Sequence, residues 1–201
     1  MRQSNGDTGG YPARSERRTA DSLLALTEML GRSLTEAELI LEAFEQTQAR
    51  ASALGTRLGG DDPLPSDRDE QEEQTHWAIV HARSFVLALH RAVTVLDHVA
   101  KLSGSTDAVA AAKALAESLP ALVDVRDSIA RLDERIQALT SDLENQQTED
   151  ARPVVAIDRL DGTNYCISRA NGEMGSIAVT NDTLQLAIER ADTVLRSLDW
   201  S

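Results

Sequence analysis

Large aromatic rings are almost missing from this chain: two Trp, two Tyr and two Phe account for 3% of 201 residues. The interior must then be built from Leu, Ile, Val and Ala, a composition that suits interdigitated helices. A single cysteine, Cys166, excludes an intramolecular disulfide and a thiolate metal cluster, and fits a reducing compartment. No stretch approaches the roughly 18 uncharged apolar residues of a membrane helix, and Met1 to Gly6 opens no apolar leader, so the expected location is cytoplasmic. Positive charge is also scarce: 20 basic against 33 acidic residues give a net charge of −13, which disfavours non-specific binding to DNA and to anionic membranes. Only Lys101 and Lys113 among the basic residues are lysine, so the remaining cations are always-protonated guanidinium forks.

The apolar residues that are present fall into helical spacing. Residues 1–19, rich in Gly, Ser, Arg and Asp, have little to bury and read as a disordered tail ahead of one domain over 20–201. Leu23, Leu26 and Leu30 predict a short helix; Gly31 reads as its stop and Ser33 to Glu36 as a capping box opening a second helix to about Ala53. Such a pair resembles a DNA-reading helix-turn-helix in outline only, since Glu36, Glu38, Glu42 and Glu45 would meet phosphate. Gly59, Gly60, Pro63 and Pro65 place a mobile acidic loop over 55–71. A broad apolar face from Trp77 to Leu102 then predicts the central helix, an alanine-rich helix follows Ser105, and seven apolar residues from Leu122 to Leu143 form a heptad stripe expected as one long helix.

After Pro153 the period becomes strand-like. Val154 to Ile157, Asn164 to Arg169 and Glu173 to Val179 predict a three-stranded antiparallel meander within 153–180. A two-residue turn at Asn171-Gly172 would place Tyr165, Ile167, Met174 and Ala178 on one face and Cys166, Ile177 and Val179 on the other. Asn181 or Asp182 would cap a final helix. The predicted fold is mainly α: a bundle of about five helices with a small β-meander before the C-terminal helix.

Enzyme signatures are few. The chain has no phosphate loop, no dinucleotide fingerprint, no nucleophile elbow and no zincin motif. All four histidines, His76, His81, His90 and His98, lie on the central helix, too far apart along its axis to share one metal, so neither metal nor cofactor is expected. Cys166 reads as a small packing residue. What stands out is the charged run Arg126, Asp127, Arg131, Asp133, Glu134, Arg135 beside the heptad stripe, where Asp127 and Arg131 have the spacing of an i,i+4 ion pair.

The segment from Val125 through Arg126, Asp127 and Arg131 to Ile136, near the start of a late helix in an acidic helical chain, resembles the signature region of HEPN domains (higher eukaryotes and prokaryotes nucleotide-binding). In that family an Arg and a polar follower precede a His by a few residues. Arg126 and Asp127 match the first two, and Arg131 stands where the His is expected. The resemblance implies a compact helical bundle, commonly dimeric, whose active members are metal-independent ribonucleases. An arginine cannot act as the general base near pH 7. The expectation is therefore a non-catalytic HEPN-like module that self-associates and binds a helical protein partner, RNA or a nucleotide through Arg126, Asp127 and Arg131. The alternative is a ribonuclease using Arg126 with His90 or His81 recruited from the central helix. Arg83 and His90 also satisfy the loose family spacing.

Overall fold

The computed structural model describes residues 14–59, 65–134, 137, 158–169 and 172–198. Two long helices dominate: α1 spans Arg14–Leu58 and α2 spans Pro65–Ser103. They run antiparallel, with Arg91 facing Glu36 at 2.6 Å and His81 facing Thr47 at 3.3 Å. α3 (Thr106–Ser118) and α4 (Leu122–Ala130) follow, then β1 (Asp158–Asp161), β2 (Asn164–Ser168), β3 (Met174–Ala178) and α5 (Asn181–Arg196). This is the helical bundle with a small antiparallel sheet, ordered β1-β2-β3, before the C-terminal helix. Among the described elements, α2 touches every other helix and two strands. Its middle is buried almost all round, with Ala82, Phe85, Val86 and Leu89 fully enclosed. By length and composition alone it is also the one helix among the described residues that could cross a bilayer, with 44% of its apolar window buried in the bundle.

The expected break at Gly31 does not occur. Gly31 sits inside α1, and Ser33, expected to cap a new helix, donates its hydroxyl back to the Met29 carbonyl at 2.9 Å. One glycine costs a helix about 1 kcal/mol. Against that stands a continuous buried stripe of Leu30, Ala37, Leu41 and Phe44 packed into the core, each worth about as much or more. Burial wins over local propensity. The helix also begins inside the expected N-terminal tail, at Arg14, while residues 1–13 lie outside the described residues. Helix likewise replaces most of the expected loop over 55–71: α1 continues to Leu58 and α2 starts at Pro65, a residue whose fixed φ suits a first helical turn.

The heptad stripe is also interrupted. α4 stops at Ala130, because Arg131 takes φ −101° and ψ 7°, and helix resumes over 132–134. α4 is wedged between α2 and the sheet, and the turn carries Leu132 into the common core at 6% exposure instead of along a straight seam. Leu139 and Leu143 lie outside the described residues.

Strand register differs by one residue from the expected two-residue turn. Ser168 pairs with Met174, and Arg169 N–H donates to the Glu173 carbonyl at 2.7 Å, so three residues make the connection. Gly172 supplies the positive φ, 84°, that such a connection needs at its last position. A one-residue slip turns side chains over. Tyr165, Ile167, Ile177 and Val179 therefore share the buried face, and Met174 is exposed on the other. Gly175 lies on that inner face under α4, where an added Cβ would come within 2.9 Å of Val125 Cγ2. The first described strand is Asp158–Asp161; Val154 to Ile157, expected as the first strand, lie outside the described residues. α5 is capped by Thr180, one residue before the expected cap, its hydroxyl accepting from Thr183 N–H at 3.4 Å.

Candidate functional site

Where α1, α2 and α4 converge, a groove of about 470 Å³ is lined by Leu26 and Met29, by Leu87, His90, Arg91, Thr94, Val95 and His98, and by Arg126. The size falls within the range of small-ligand sites. Helix geometry explains the lining. His90, Thr94 and His98 recur at i, i+4 and i+8, so three hydrogen-bonding side chains form one row about 12 Å long on α2. α4 brings Arg126 to that row, because Val125 on one side of it is fully buried while Arg126 itself is exposed. α1 closes the groove with Leu26 and Met29.

Polar and apolar groups are thus divided: Arg126, Arg91 and two imidazoles face a floor of Leu and Val. Arg91 is held by Glu36 at 2.6 Å. Arg126 pairs through Nη1 with Asp127 Oδ1 at 2.7 Å, both side chains nearly half exposed at 45% and 49%. Exposed pairs of this kind contribute at most about 1 kcal/mol, so Asp127 holds Arg126 only weakly. Burial, followed by the neighbouring Arg126 charge, pulls the His90 pKa below its ordinary 6.5, and Asp127 opposes the shift. The shift favours the neutral imidazole at pH 7.

Of the residues singled out from sequence, the structure joins Arg126, Asp127 and His90. It separates the rest. Arg131 sits at the end of α4, exposed, outside the groove lining, and makes no ion pair with Asp127, which turns instead to Arg126. Its backbone N–H, at 3.2 Å from the Asp127 carbonyl, closes the last turn. His81 lies nine residues before His90, about 13 Å along the axis and half a turn round α2. It stacks on Trp77 at a centroid distance of 6.1 Å. Thr47 gives its one hydroxyl proton to the Ala43 carbonyl at 2.7 Å, so His81 Nδ1–H is the donor to Thr47 Oγ1. His81 belongs to the α1–α2 packing. Arg83 forms an ion pair with Asp158, which also accepts from the Tyr165 hydroxyl at 3.2 Å. Burial and the Asp158 charge push the Tyr165 phenol well above its ordinary 10, so it remains a donor. That cluster ties the sheet to α2.

No family model matches this chain, and neither does any curated protein or solved structure. Arg91 and Thr94 join the groove without having been singled out from sequence, and His98, weighed there only as a metal ligand, joins it too; the signal was the four-residue spacing of His90, Thr94 and His98. Among the described residues no group of three or more His, Cys, Asp or Glu could hold a metal. Cys166 is buried, which raises its thiol pKa, as Asp161 does to a lesser extent, and it stays a protonated packing residue.

Proposed function

We propose that this protein is a HEPN-like helical module without catalytic duty, which self-associates and binds a nucleotide in the His90–Arg126 groove. The observation that carries the reading is the meeting, on an apolar floor in a chain of net charge −13, of two guanidiniums, two imidazoles and a hydroxyl from two helices. Arg126 and His90 address phosphate oxygens, and Leu87, Val95 and Met29 offer surface to a flat base. Titrating the full chain with a fluorescent ATP or GTP analogue tests it. Saturable binding that weakens about tenfold in Arg126→Ala supports the reading, and binding indifferent to Arg126 contradicts it.

Self-association rests on the outward side of α1, where Leu24 and Leu39 are 55% and 62% exposed. Leu122, Val125 and Leu132 of the heptad stripe are buried within the chain and supply no such surface. Light scattering is expected to give a dimer at micromolar concentration that Leu24→Asp with Leu39→Asp dissociates; a wild-type monomer contradicts it.

One observation favours a second reading, a metal-independent ribonuclease. His90 shares the groove with Arg126 and is neutral at pH 7, the state required of a general base for a 2′-hydroxyl. RNA cleavage in the presence of chelator, lost in both Arg126→Ala and His90→Ala, would replace the non-catalytic reading with this one. Intact RNA keeps the module a binder.

A further inference from the structure

Of the four cation-forming side chains that line the groove, His90 of α2 and Arg126 of α4 stand on facing helices, against a largely apolar floor. Like charges so placed disfavour each other, and a half-desolvated site strengthens the effect. The other charged groups around His90 are Arg91 and His98 on α2, Asp127 on α4, and Glu36 on α1, which is engaged by Arg91. Asp127 is the one described carboxylate acting directly on His90, and it is shared with Arg126.

We propose that the groove binds a tetrahedral dianion, a terminal phosphate rather than a chain phosphodiester, and takes up a proton as it does so. This deepens the reading of the groove as an anion site and rests on it. A dianion between Arg126 and His90 replaces repulsion by attraction. His90 then draws a proton from solvent, and the imidazolium with the guanidinium balances both negative charges. A phosphodiester offers one charge, leaves His90 uncompensated beside Arg126, and brings a polymer whose remaining phosphates meet a chain of net charge −13. A compact terminal phosphate meets neither obstacle. Burial and Arg126 already hold His90 neutral before binding, so the proton is gained on binding and not carried in advance.

Calorimetry of the full chain with sulfate, which carries no titrating proton in this range, assigns proton uptake to the protein. Measurements at pH 7 in two buffers of different ionisation enthalpy are expected to give uptake approaching one proton per sulfate, with affinity falling several-fold, up to tenfold, per pH unit from about 6 to 8. AMP is expected to behave alike, with an RNA oligomer lacking terminal phosphate binding more weakly. His90→Gln is expected to weaken binding and abolish the uptake. Arg126→Gln, which relieves the repulsion in the empty groove, is expected to reduce both and serves if His90→Gln fails to fold. Sulfate bound without proton uptake, or uptake retained in both variants, overturns the proton linkage while leaving the anion site standing. Tighter binding of the unphosphorylated oligomer overturns the dianion. Absence of binding by sulfate, AMP and oligomer alike overturns the site itself and this proposal with it.

Discussion

At the scale of single residues, the groove distinguishes side chains that sequence spacing treats as equivalent. Arg126 and Arg131 lie five positions apart in the same charged run, yet only Arg126 lines the groove, since five residues turn a helix by about 140° and the helix ends at Arg131. Arg131→Gln is therefore expected to leave nucleotide or sulfate affinity unchanged within twofold, whereas Arg126→Gln costs about tenfold. Titration calorimetry of the two variants checks this. Asp127 competes with any anion for Arg126, so Asp127→Asn is expected to tighten sulfate binding several-fold. Tyr165 is fully buried and donates to Asp158, and Tyr165→Phe should cost about 1 to 3 kcal/mol by leaving Asp158 one donor short, measured by urea unfolding. That Arg126 and its neighbour Asp127 fall on the open side of α4 was legible from their place beside an apolar stripe. That His90 and not His81 meets Arg126 was not legible: both lie on α2, and their separation by half a turn acquires meaning only once α4 is docked on one side.

At the scale of elements, local signals were overruled wherever a long buried stripe opposed them. Gly31 and Ser33 carry the residue types of a helix stop and restart, and both are absorbed into α1 because Leu30, Ala37, Leu41 and Phe44 keep packing across them. Gly31 has open space around the position of a Cβ, within 4 Å. Gly31→Ala should then stabilise the protein by about 0.5 to 1 kcal/mol, raising the urea midpoint at constant m-value; destabilisation would mean that the helix breaks there after all. Gly175→Ala should do the reverse. Its Cβ would meet Val125 Cγ2 at 2.9 Å and Arg169 Nε at 2.7 Å, forcing α4 away from the sheet at a cost of about 1 to 3 kcal/mol in the same measurement. The hairpin illustrates the same limit at shorter range. Asn171-Gly172 marked the turn correctly, but a connection of two or of three residues satisfies the same pair of letters, and the difference decides which face Ile177 occupies.

At the scale of the whole molecule, the class of fold was visible in composition, since a chain with few rings and many Leu and Ala in helical period has few other ways to build a core. The meeting of three helices at one groove depends on long-range docking, which periodicity does not encode. The groove also leaves a mark on global stability. The folded-state pKa of His90 lies below its unfolded value of 6.5, so above that value both states are neutral and His90 contributes nothing. As pH falls through 6.5 and below the depressed value, the unfolded chain takes up the proton first and stability is lost. Thermal unfolding of the ligand-free protein should therefore weaken between pH 7 and 5 by less in His90→Gln than in wild type, and the same loss in both would contradict the burial of His90 beside Arg126. We propose that this protein meets its ligand in the groove between α1, α2 and α4. Two-dimensional NMR of the full chain titrated with AMP is then expected to give saturable shifts concentrated on Met29, Leu87, His90, Thr94, His98 and Arg126; shifts confined to other surfaces, or none at all, would place the ligand elsewhere.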